Sequence, residues 1–97
     1  MQDPIYKKND NFVYRRIENE TILVPIKDNV GDMGSIYNLN PVAAFIWLQL
    51  DGEASVRDIQ TRLTAEFDVS DGQAATDLGE LINDLIAIEA ILPVGDQ

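Results

Sequence analysis

The chain has no cysteine and no histidine. Disulfides, thiolate metal sites, cysteine nucleophiles and imidazole acid–base chemistry are therefore all excluded. It has no apolar run long enough to cross a membrane. The longest, Val42 to Leu50, is interrupted by Gln49 and spans only about 14 Å as a helix, against a hydrocarbon layer of about 30 Å. No apolar leader follows Met1-Gln2-Asp3-Pro4, so a cytoplasmic protein is expected. Positive charge is scarce where it would matter for nucleic acid or anionic lipid. Residues 1–40 hold five Lys/Arg against six Asp/Glu, a net of −1. Residues 41–97 hold only Arg57 and Arg62 against eleven acids, a net of −9. Such a half repels phosphate backbones and anionic headgroups. No Gly-rich phosphate loop, nucleophile–base pair or metal-ligand spacing is present. Asp68-Val69-Ser70-Asp71-Gly72 does not continue as a calcium loop. No catalytic residue, metal or cofactor is expected.

What is present is enough apolar side chain, 45% of 97 residues, for one small domain. The chain centres on Asn40 to Gly52. Asn40 suits a helix N-cap, Pro41 the first helical position, and Asp51-Gly52 a stop. Between them Val42, Ala43, Ala44, Phe45, Ile46, Trp47, Leu48 and Leu50 leave almost no polar face, which predicts a helix buried on nearly every side.

Upstream, residues 1–11 are polar and expected to be flexible. Three β-prone segments follow, over 12–17, 21–26 and 34–39, joined by turn residues. Ile22, Val24 and Ile26 share one strand face, and Pro25 ends or bulges the pairing. Downstream, Ser55 and Asp58 form a capping box for a helix over 56–67, whose inward positions are Val56, Ile59, Leu63 and Phe67. Ser70 and Gln73 form another for a helix over 71–90, which Pro93 limits. On this last helix Ala74, Leu78, Leu81, Leu85 and Ile88 make one apolar stripe. Ala75, Ile82 and Ile86 make a second, and Asp77, Glu80 and Asp84 a wet face. The two stripes together exceed the arc of one core contact, so the helix is either wedged between two core elements or lines a groove. Ile91 to Val94 covers the core or adds a short extended segment. The expected architecture is α+β: a three-stranded antiparallel sheet, then three helices, in one winged helix-turn-helix-like domain over 12–94.

The ordered set Leu39-Asn40, Ile46-Trp47, Leu50-Asp51-Gly52, Ser55-Val56, Ile59, Leu63, Phe67-Asp68-Val69, Asp77-Leu78, Leu81-Ile82, Leu85 and Ile91-Leu92 resembles the PqqD family. These are recognition domains for ribosomally made, post-translationally modified peptides, named for pyrroloquinoline quinone biosynthesis, although the likeness does not select that pathway. The resemblance implies a non-catalytic peptide chaperone. It would bind the leader of a precursor peptide as an added antiparallel strand and present it to a modifying enzyme, typically a radical S-adenosylmethionine enzyme. The implied edge is Ser35, Ile36, Tyr37, Asn38 and Leu39. The implied helix wall is Ala75, Leu78, Ile82 and Ile86; each also reads as an ordinary core position, which for Leu78 is the favoured reading. The family often has glycine where Glu89-Ala90 stand, which implies a longer last helix here. Two other uses fit the same shape: a DNA-associated winged helix, disfavoured by the charge, and a dimerisation domain. A monomer or a homodimer is compatible with the sequence.

Overall fold

A computed structural model describes residues 4–26 and 36–94. In chain order these form β1 (Ile5–Lys8), β2 (Phe12–Ile17), β3 (Glu20–Pro25), β4 (Tyr37–Leu39), α1 (Pro41–Gln49), β5 (Asp51–Ser55), α2 (Val56–Glu66), α3 (Asp71–Ala87) and β6 (Ile91–Pro93). The strands make two antiparallel three-stranded sheets, ordered β2-β3-β4 and β5-β1-β6.

The first sheet is the expected one. A two-residue turn at Glu18-Asn19 joins β2 to β3, pairing Ile17 with Glu20. Glu18 takes φ 56, because hairpin turns that match strand twist need a left-handed residue. Thr21 pairs with Leu39 and Leu23 with Tyr37. The buried parity is that of Leu23, at 0% exposure, whereas Ile22 and Val24 are half-buried and Ile26 is exposed. The branched residues thus occupy the outer face, and one leucine anchors the strand to the core.

The second sheet corrects the expectation of a flexible segment over residues 1–11. Ile5–Lys8 is a middle strand. Ile5 pairs with Ser55 and Lys7 with Asp51 on one side, and Tyr6, Lys7 and Lys8 pair with Pro93, Leu92 and Ile91 on the other. Four residues with two lysines carry too little local signal to reveal this; both partners are remote in sequence. Lys8 stretches over the Trp47 ring, 5.6 Å from its centroid, and its Nζ donates to the Leu50 carbonyl at 3.0 Å. Its ammonium thereby serves the orphan carbonyl end of α1. Burial pushes the Lys8 pKa down, opposed by the Asp51 charge.

The caps appear where the sequence places them. Asn40 Oδ1 accepts from the Ala43 N–H at 2.8 Å, and Ser55 and Asp58 exchange both capping-box bonds at 3.1 Å. Ser70 caps α3 through the Gln73 N–H, but the Gln73 amide does not close the box; it turns to Asp77 Oδ1 at 2.8 Å. α1 is less enclosed than expected: Ile46, Trp47 and Leu50 are buried, yet Leu48 is 54% exposed. A domain this small has too few elements to surround a helix. Asp51 Oδ1 accepts from the Glu53 and Ala54 N–H groups, which hold the Asp51 carboxyl below its usual range, and Gly52 turns the chain at φ 84.

α3 ends at Ala87, not at residue 90. Glu89 takes φ 64, its N–H donates to the Ile86 carbonyl, and the Ala90 N–H donates to that of Leu85. This is the left-handed stop usually given to glycine. Asn9 seals it, its side-chain amide donating to the Glu89 carbonyl at 2.7 Å and its N–H to that of Ala90 at 2.9 Å. No helix among the described residues is long and apolar enough to cross a membrane.

Candidate functional site

β4 is the last strand of its sheet and pairs only with β3 among the described residues. Its main-chain groups that point away from β3 have no ladder partner there. Such an edge is a template for another strand. The chain leaves it directly into Asn40, whose capping role fixes where β4 ends and α1 begins.

Beside this edge lies a cleft of about 230 Å³. Tyr37 and Asn38 form the strand side, and Asn40, Val42, Ala43 and Ile46 the α1 side. The α3 wall is Asp77, Glu80, Leu81 and Asp84. Ile46 and Leu81 are buried core residues and make an apolar floor, while the carboxylates stand at the rim. One bond spans the cleft: the Tyr37 hydroxyl donates to Asp84 Oδ2 at 3.1 Å. Partial burial raises the Tyr37 pKa, and the bond to the Asp84 carboxylate and its charge raise it further.

Of the edge residues named from the sequence, Tyr37 and Asn38 line the cleft, Leu39 completes β4 without lining it, and Ile36 precedes the strand; Ser35 lies outside the described residues. Leu39 turns its side chain into the core. The four α3 positions named from the sequence are not in the wall. Leu78 is 1% exposed and Ile82 is also buried, both in the core; Ala75 and Ile86 are exposed, and none of the four lines the cleft. The reason is the roll of α3. At about 100° per residue its buried arc centres near Leu78 and Leu85, so Ala75, Ile82 and Ile86 fall on one flank. Asp77, Glu80, Leu81 and Asp84 fall on the other, which faces β4. Periodicity identifies both flanks but not which one meets the sheet. Asp77, Glu80 and Asp84 read as a wet face in sequence, and α1 as core, so neither suggested a cleft.

The arrangement is suited to holding an extended backbone. Among the described residues no group of three or more Asp, Glu, His or Cys side chains is placed to hold a metal ion. The fold agrees with two solved structures. One is described as TbiB1 in complex with the TbiA(beta) leader peptide, at 23% identity and TM-score 0.73, covering 93% of this chain and 99% of that one. The other is described as lasso peptide synthetase B1 complexed with the leader peptide, at 23% identity and TM-score 0.74, covering 91% and 98%. No curated protein matches the sequence. The family model for coenzyme PQQ synthesis protein D matches residues 20–91, from β3 through the start of β6. With that match covering well over half of its 97 residues, the chain belongs to the PqqD family.

Proposed function

We propose that this protein is a non-catalytic recognition domain. It binds the leader segment of a ribosomally made precursor peptide as an antiparallel strand added to β4, along Ile36–Leu39, and presents it to a modifying enzyme. The observation that carries this is the β4 edge, without a strand partner beyond β3 among the described residues, beside a cleft walled by α3, in a fold whose solved neighbours hold leader peptides. Main-chain bonds along the edge supply affinity, and the cleft receives alternate side chains of the added strand. A radical S-adenosylmethionine enzyme is the partner the family likeness implies. Duplex DNA finds three acids and no cation among the described residues that line the cleft.

The test is a titration of isotope-labelled protein with the synthetic leader of a precursor peptide, taken from short reading frames sought beside its gene. Amide shifts are expected at residues 36–39 and 77–84. A set of singly N-methylated peptides should lose affinity at every second position, since only alternate residues of an added strand donate to β4. Shifts that avoid both segments, or an N-methyl profile without period two, would sink the reading.

A further inference from the structure

The cleft's charge narrows what the added strand must carry. We infer that the bound strand has at least one lysine or arginine facing α3, received by Glu80 and Asp84, so that the site selects cationic leader segments. This rests on the strand-addition reading above.

Asp77, Glu80 and Asp84 lie on one flank of α3, within about 10.5 Å along its axis. No lysine or arginine lines the cleft among the described residues. The side-chain partners of Asp77 and Asp84 are Gln73 and Tyr37, both neutral donors, so the carboxylate charges are not cancelled there. Tyr37 occupies Oδ2 of Asp84 and fixes the carboxylate at the rim, leaving Oδ1 for a second donor. Acids alone would mark only a wet helix face. Here they stand across a cleft from a strand edge that is unpaired among the described residues, and an added strand turns every second side chain toward them, about 6.7 Å apart. Docking that strand displaces water and lowers the local dielectric, so the acids' mutual repulsion grows unless a cation arrives with it. An acidic residue at the same position is rejected by the same field. The net charge of −10 steers a cationic segment inward at low salt.

The experiment selects random 12-residue peptides displayed on phage against the full chain and maps the strongest binder by amide shifts. Its affinity is then measured for three proteins: wild type, the cleft triple Asp77→Asn/Glu80→Gln/Asp84→Asn, and a control triple Glu53→Gln/Glu66→Gln/Asp68→Asn with the same change in net charge. The expected binder shifts residues 36–39 and carries Lys or Arg at one strand parity. It weakens about tenfold or more with the cleft triple, but less than about threefold with the control. A binder on β4 without a basic side chain toward α3, or equal losses in both triples, overturns the inference and leaves strand addition intact. Peptides whose shifts avoid β4 overturn strand addition and this inference together.

Discussion

The two sheets have three strands each but opposite treatment of their edges. In β5-β1-β6 the edge strand β6 is three residues long and ends in Pro93, and the β1–β5 pairing is broken by an irregularity between Ile5 and Lys7. Short strands, proline and bulges are how proteins keep other chains from pairing. In β2-β3-β4 the far edge, β2, carries Arg15-Arg16. β4 is as short as β6, yet it has no proline and opens on a cleft. Strand length therefore does not distinguish the edge proposed to bind the leader. What distinguishes it is the neighbouring space and the chemistry that lines it. The sheets also differ in origin: β2-β3 is a local hairpin, whereas β1 joins partners at residues 51–55 and 91–93.

If both sheets rest on one shared core, anchors in each should matter alike. Leu23→Ala in the first sheet and Ile91→Ala in the second are each expected to cost about 3 kcal/mol in urea unfolding, as fully buried aliphatic truncations do. A near-zero cost for either would split the core in two. A smaller effect of opposite sign is expected where α3 hands over to β6. Glu89→Gly should stabilise by about 0.5–1 kcal/mol, as relief of the left-handed backbone outweighs the added flexibility of the unfolded chain. An unchanged urea midpoint would mean the Asn9 bonds hold that turn whatever residue stands there.

The Tyr37–Asp84 bond sharpens the picture of the open edge. It is solvent-accessible, so Tyr37→Phe should cost under about 0.5 kcal/mol. Because the folded phenol pKa is raised, the contribution is fully present below the unfolded tyrosine value of about 10 and is lost as pH rises through the folded one. Ultraviolet titration should show the Tyr37 phenol ionising late in wild type, and earlier in Asp84→Asn. Asp51 supplies the matching acid-side contrast in the second sheet. Its folded pKa is lowered, so its contribution holds above the unfolded carboxyl value and fades as pH falls through the folded one. Asp51→Asn, which keeps an acceptor oxygen, should flatten that part of the acid limb in a pH series of thermal melts.

By itself the sequence determined the elements whose bonds close within a few residues. These are the Asn40, Ser55 and Ser70 caps, the Glu18-Asn19 hairpin and the three helix cores. The stop expected at Asp51-Gly52 is instead a cap at Leu50, with φ −84, after which Asp51–Ser55 runs extended as β5. The sequence also carried the family pattern and, through it, the β4 edge. Tertiary structure alone decided the place of β1, because Lys7 finds Asp51 and Leu92 only after the chain has folded between them. It decided the stop at Glu89 too, where contact with Asn9 rather than a glycine secures a left-handed residue. Above all it decided the roll of α3. A helix with a broad apolar arc can bury either flank, and only its packing against α1 and α2 turned Asp77, Glu80 and Asp84 toward β4 and left Ala75 and Ile86 on the other side.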